Sequence, residues 1–176
     1  LWSGSNWTEV ADLNTGRSSL RGTGANNTAA LAIGGYDSSV SAKTELWNGS
    51  NWTAVNDMNS AKDYVGAGGT TTSAIAAGGG PGTKNDTEIW NGTSWTEVND
   101  LNTVRRILGG VGATNTAALA FGGFLSTTTA AETESWNGTS WTQLGGNIDG
   151  ELAGENFGEA HPGHWTIPKY TKIECP

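Results

Sequence analysis

Carboxylates and cations recur along this chain at spacings that could do chemistry. Glu45, Glu88 and Glu134 each lie two residues before a tryptophan, and Asp12, Asp57 and Asp100 each lie five residues after another. Arg17, Lys62 and Arg105 follow that second tryptophan by ten residues. Paired carboxylates could act as general acid and base, and a carboxylate beside a cation could form an ion pair. Recurrence decides between the two. A residue present in every copy of a repeat is explained by the repeat, whereas an active site needs it once. These carboxylates are therefore expected to be structural, accepting backbone N–H groups in turns or pairing with Arg17, Lys62 and Arg105.

The other chemistry-bearing residues are sparse. His161 and His164, with Glu159 nearby, could bind a transition metal, but Pro162 and Gly163 between them read as an exposed loop. The lone Cys175 has no internal disulfide partner. The glycine-rich stretch at 78–82 lacks the Lys-Ser/Thr of a phosphate loop, and no nucleophile elbow or calcium loop occurs. The sequence predicts no catalytic set, no metal and no cofactor. Seven Asn-X-Ser/Thr sites (Asn6, Asn26, Asn48, Asn51, Asn85, Asn91 and Asn137) read mainly as turn chemistry, because five belong to a repeated turn.

The elements that must carry these residues are repeats. Trp2, Trp47, Trp90 and Trp136 are 45, 43 and 46 residues apart, and each is followed five residues later by Trp7, Trp52, Trp95 or Trp141. The copies read WSGSNWT, WNGSNWT, WNGTSWT and WNGTSWT. A glycine pair ends a small apolar run every 44 residues, at Gly34-Gly35, Gly78-Gly79 and Gly122-Gly123, after ALAI, AIAA and ALAF. Each unit resolves into four short strands. The first is glycine-rich (20–25, 64–69, 107–113), and the second alternates large and small side chains up to the glycine pair. The third ends at the outer tryptophan, Asn-Gly supplies the positive φ of a tight hairpin, and the fourth starts at the inner tryptophan. Four antiparallel strands per repeat predict all-β propeller blades: an N-terminal half blade (1–13), blades at 14–58, 59–101 and 102–145, and a non-repeat acidic tail or closing arm at 146–176. Glycine and alanine in the first strand suit the crowded axis, and the indoles should be buried between diverging blades.

The order basic residue, glycine-rich strand, apolar strand ending in Gly-Gly, variable loop, aromatic, short turn and Trp resembles the kelch repeat over residues 1–145. Trp before the turn, and the shortening of that turn to Asn-Gly, depart from the usual pattern. In that detail the repeats are similar to the WNGTSWT repeats of marine bacteriophage tail and surface proteins. The resemblance implies a kelch-type propeller and a virion or extracellular location. Some kelch-like propellers are copper-radical oxidases, but nothing here resembles their Tyr–Cys and two-His site.

Connectivity places the 2–3 loops and 4–1 connections at one end of the blades. The 2–3 loops (36–43, 80–86 and 124–132) vary most, and recognition on a repeated scaffold resides in such loops. The predicted ligand-binding residues are Tyr36, Asp37, Lys43, Lys84, Asp86, Phe124 and Leu125, exposed on those loops, with Arg17, Lys62, Arg105 and Arg106 rimming the same face.

Composition bounds the rest. The 176 residues hold nine tryptophans but few aliphatics, and Gly, Thr, Asn and Ser make up nearly half the chain, which excludes a helical bundle or coiled coil. A net charge of −8 disfavours nucleic acid and anionic membrane, and no apolar run could span a bilayer. The expected function is a non-enzymatic recognition or structural propeller, a phage tail or fibre component contacting a host receptor or glycan, with other virion proteins or copies of itself as partners. A secreted carbohydrate-binding or carbohydrate-active protein is the first alternative, and an intracellular kelch adaptor for peptides the second. The repeat is already under way at residue 1, so the chain is expected to be a piece of something longer. Residues 1–13 are expected to pair with strands outside this chain or to belong to a larger ring; the tail lacks the glycine pair needed to close it.

Overall fold

The alternation of large and small apolar residues, cut by glycine pairs and WNG turns, resolves into twelve short strands. A computed structural model describes residues 1–145. The strands are β1 (Arg21–Asn26), β2 (Ala29–Ile33), β3 (Thr44–Trp47), β4 (Trp52–Val55), β5 (Gly66–Thr70), β6 (Ser73–Gly79), β7 (Lys84–Trp90), β8 (Trp95–Val98), β9 (Gly109–Thr114), β10 (Ala117–Phe121), β11 (Thr133–Trp136) and β12 (Trp141–Leu144). They form three four-stranded antiparallel sheets, each of four consecutive strands in chain order. The structure is thus all-β, with blade-like repeats.

Register explains the tryptophan pairs. Trp47 faces Trp52, Trp90 faces Trp95 and Trp136 faces Trp141 across the last two strands of each sheet. Their rings sit 5.4–5.5 Å apart, tilted by 43–45°. Trp2 and Trp7 form an isolated antiparallel bridge with the same ring geometry, 5.5 Å and 43°. Five of the other six indoles are buried, as expected, and Trp52 is half-buried, but Trp2 and Trp7 are exposed.

The sheets stack in sequence, with β5 of the second lying against both β1 and β9. Here glycine is required by close approach. A Cβ on Gly68 would lie 2.5 Å from the Gly112 backbone nitrogen, and one on Gly110 would lie 2.4 Å from that of Ala67. Two cores fill the junctions. Leu31, Ile33, Met58 and Val65 pack with Ala74, Ala76, Trp90 and Trp95; Ile75, Leu101 and Leu108 pack with Ala118, Ala120, Trp136 and Trp141.

Local details differ from the expectations. The first strands start later, because Ser19, Tyr64 and Ile107 hold φ of 55°, 53° and 57°, outside extended geometry. Of the Asn-Gly turn only glycine takes positive φ (95°, 96° and 94° at Gly49, Gly92 and Gly138). The asparagine contributes its side chain instead. Asn48, Asn91 and Asn137 each accept two backbone N–H groups at 2.9 Å, closing a four-residue turn. The expectations for the acidic tail, including His161, His164 and Cys175, lie outside the described residues.

Candidate functional site

The repeated cations and carboxylates are brought together inside the sheets. Arg17 Nη2 meets Glu45 at 2.9 Å, Lys62 Nζ meets Glu88 at 3.2 Å and Arg105 Nη2 meets Glu134 at 2.8 Å, with every cation side chain fully buried. The glycine pair ends the second strand at positive φ, which turns its carbonyl inward. Arg17 Nη1 then donates to the Gly34 and Lys43 carbonyls at 2.6 and 2.7 Å, and Arg105 Nη1 to those of Gly122 and Glu132 at 3.1 and 2.7 Å. Each arginine thereby ties the end of strand two to the base of strand three.

The carboxylates are equally committed. One oxygen of Glu45, Glu88 and Glu134 accepts both the backbone N–H and the side-chain amide of Asn14, Asn59 and Asn102, at 2.7–2.9 Å. That asparagine amide also reaches the carbonyl of the inner tryptophan. Each module is a buried polar network within the scaffold, in which the Arg17 and Arg105 Nε groups alone lack a partner, and its acid is buried with no open side for a substrate. The structural reading of the glutamates holds. The three aspartates are all exposed, and of them Asp57 accepts from the Thr44 N–H at 3.3 Å.

Placing Arg17, Lys62 and Arg105 on the rim of an exposed face is therefore corrected. The inward carbonyls and buried glutamates need donors, and these cations supply them. Two loop candidates also move. Lys84 and Asp86 lie in β7, half-buried, and the Asp86 carboxylate joins Lys62 at 3.1 Å. Pairing with Gly79 pulls this segment into the sheet, so the second 2–3 loop is shorter than expected.

The remaining candidates gather at the loop end. Tyr36 N–H donates to the Ser18 carbonyl at 2.8 Å, and Tyr64 N–H to that of Ser19 at 3.0 Å. Ile107 N–H donates to Tyr64 at 2.9 Å, and Phe124 N–H to Arg106 at 2.7 Å. A backbone track thus links the 4–1 connections with two 2–3 loops across all three sheets. Tyr36, Tyr64 and Ile107 are exposed along it, while Phe124 and Leu125 are half-buried. Arg106 is half-buried too, its guanidinium 5.6 Å from the Phe124 ring centre. Lys43 and Asp37 form an ion pair of 2.6 Å over the first loop. The Lys43 hydrogen bond, aided by its charge and that of Arg17, holds the Asp37 carboxyl below the ordinary carboxylate value. Tyr64 and Ile107 were missed because strand-forming side chains there read as strand; their recurrence before the glycine-rich segment was the available signal.

Among the described residues no group of three or more His, Cys, Asp and Glu could hold a metal ion, and no helix is long and apolar enough to cross a membrane. No family model matches the chain, and no curated protein does. Solved structures do. The structure of YjhT superposes with a TM-score of 0.61 at 15% identity, over 75% of this chain and 46% of that one. The chain thus spans about half the length of that protein, and at this identity the likeness is one of fold.

Proposed function

We propose that the chain is a non-enzymatic recognition module made of kelch-like propeller blades, a phage virion component whose loop end contacts a host receptor or glycan. In this reading each four-stranded sheet is a blade, and the Trp2–Trp7 hairpin is the outer half of another. One observation carries it. The cation and the glutamate that recur in each repeat are paired inside the scaffold, so the surface that differs between repeats is the loop end with Tyr36, Tyr64 and Ile107. Exposed tyrosines favour a sugar or a flat polar epitope, since ring faces stack and hydroxyls bond.

The test is binding of the purified chain to immobilised glycans and to bacterial envelope fractions. Tyr36→Ala and Tyr64→Ala should each weaken binding roughly tenfold or more, while Thr93→Ala, in the turns at the opposite end, should not. Unchanged binding by both tyrosine variants, or hydrolysis of the bound glycan, would overturn the reading.

A further inference from the structure

One two-residue bridge recurs at the loop end of every sheet, and its side chains differ. The residue after the glycine pair exchanges backbone bonds with the 4–1 connection: Tyr36 with Ser18, Gly80 with Asp63, and Phe124 with Arg106. The first and third sheets thus carry an aromatic residue at this place, and the Phe124 ring is covered by the Arg106 guanidinium. The second sheet has glycine there, and the partner's side chain takes up the room. A Cβ on Gly80 would lie 2.2 Å from Asp63 Oδ1. The second sheet also has a described sheet on either side, β1 and β9 flanking β5, so this position sits between neighbours rather than at a chain end.

The Asp63 carboxylate is used differently from the repeated glutamates. Its Oδ1 is buried without a partner among the described residues, and no described cation pairs with it. A carboxylate oxygen in that state is costly unless something donates to the group. The residue as a whole is half-buried, so the carboxylate keeps acceptor capacity within reach of solvent. Tyr64 follows it at φ 53°. An extended strand would send successive side chains to opposite faces, and the left-handed backbone breaks that alternation. Tyr64 is pinned from both sides, its N–H donating to Ser19 and its carbonyl accepting from Ile107, and it is 37% exposed. Two half-buried cations stand close by in the chain: Lys84, whose Nζ donates to the Ala61 carbonyl at 3.4 Å, and Arg106, the counterpart of Asp63 in the third sheet. They offset the carboxylate's charge, which favours a neutral donor such as a hydroxyl over a cation.

We propose that Asp63 and Tyr64 form a subsite for a neutral sugar ring, the carboxylate accepting from a sugar hydroxyl and the tyrosine ring covering the sugar's apolar face. The subsite rests on the glycan-binding role proposed for the loop end and narrows it to uncharged pyranosides. The test is NMR titration of the 176-residue chain with the methyl glycosides of glucose, galactose, mannose and N-acetylglucosamine, and with that of sialic acid as an anionic probe. At least one neutral glycoside should shift the Tyr64 ring signals. Asp63→Asn should weaken it roughly tenfold or more, as expected for losing a hydrogen bond to a charged group. Gly80→Ala should do the same, because its methyl displaces the carboxylate. Glu97→Gln, on the exposed side of β8, should change nothing. Unchanged affinity in both Asp63→Asn and Gly80→Ala, with glycan binding still lost in Tyr36→Ala and Tyr64→Ala, overturns the subsite and leaves the loop-end role standing. Preference for the sialoside, strengthened by Asp63→Asn, overturns the neutral class. A Tyr64 signal that no glycoside moves also overturns the subsite, and if immobilised glycans and envelope fractions are ignored as well, the wider role falls with it.

Discussion

Replacing Arg105 by methionine tests how the repeated charges are used. Methionine keeps much of the side-chain volume and removes the fork. Arg105 makes four bonds from full burial: 2.8 Å to Glu134, and 3.1, 2.7 and 3.3 Å to the carbonyls of Gly122, Glu132 and Ala120. Without it Glu134, also fully buried, retains only the two Asn102 donors at 2.8 Å. Breaking a buried pair by removing one partner costs about 3–5 kcal/mol, of the same order as the whole stability of a marginal domain. Urea unfolding followed by tryptophan fluorescence gives the loss. The double variant Arg105→Met/Glu134→Gln should be less destabilised than the sum of its single changes, because the stranded carboxylate is gone. A loss below about 1 kcal/mol for Arg105→Met would refute the reasoning, since that is what a solvated surface pair contributes.

Trp95→Phe removes the donor to the buried Thr44 hydroxyl and should cost about 1–3 kcal/mol in the same assay, whereas Trp7→Phe, at an exposed position, should stay within about 0.5 kcal/mol. Gly68→Ala pushes a methyl to 2.5 Å from the Gly112 nitrogen, where backbone cannot yield cheaply, and should destabilise by about 1–3 kcal/mol. Carboxyl NMR should find Asp37 titrating below the ordinary carboxylate value and moving up in Lys43→Met. The folded form binds this proton less readily than the unfolded chain, so the contribution to stability is complete above the unfolded pKa and fades as pH falls through the folded one.

The repeat made the strands legible, because period, alternation and glycine pairs all follow from local geometry. ALAI states which residues face which neighbour, and the structure follows it at Leu31 and Ile33. What the sequence hid lies in tertiary hydrogen bonding. A basic residue after a polar segment reads as solvated, yet Arg17 is buried because the inward Gly34 and Lys43 carbonyls leave acceptors that only a long donor can reach. Tyr64 reads as strand, yet a bond from its N–H to the neighbouring repeat's Ser19 carbonyl accompanies a left-handed backbone there. Asn48 reads as a backbone choice for positive φ, yet its side chain is the part that closes the turn.

Lys62 shows what the buried position demands. In the flanking repeats the guanidinium sends one nitrogen to two carbonyls, at the end of strand two and the base of strand three, and the other to the glutamate. An ammonium is a single centre and cannot span those acceptors as a fork does. Lys62 instead bonds the Asp86 carbonyl at 3.2 Å, Glu88 at 3.2 Å and the Asp86 carboxylate at 3.1 Å. Lys43 and Glu132 stand at the place of Asp86 in the other sheets and offer their Arg a main-chain carbonyl alone. The acid at 86 thus replaces the carbonyl that a lysine forgoes. What the repeat holds constant is a buried cation with acceptors on both sides, and the residue type follows from which acceptors are near. Such a requirement is met within the scaffold and makes no demand on the loop end, which leaves Tyr36, Tyr64 and Ile107 free to differ from repeat to repeat.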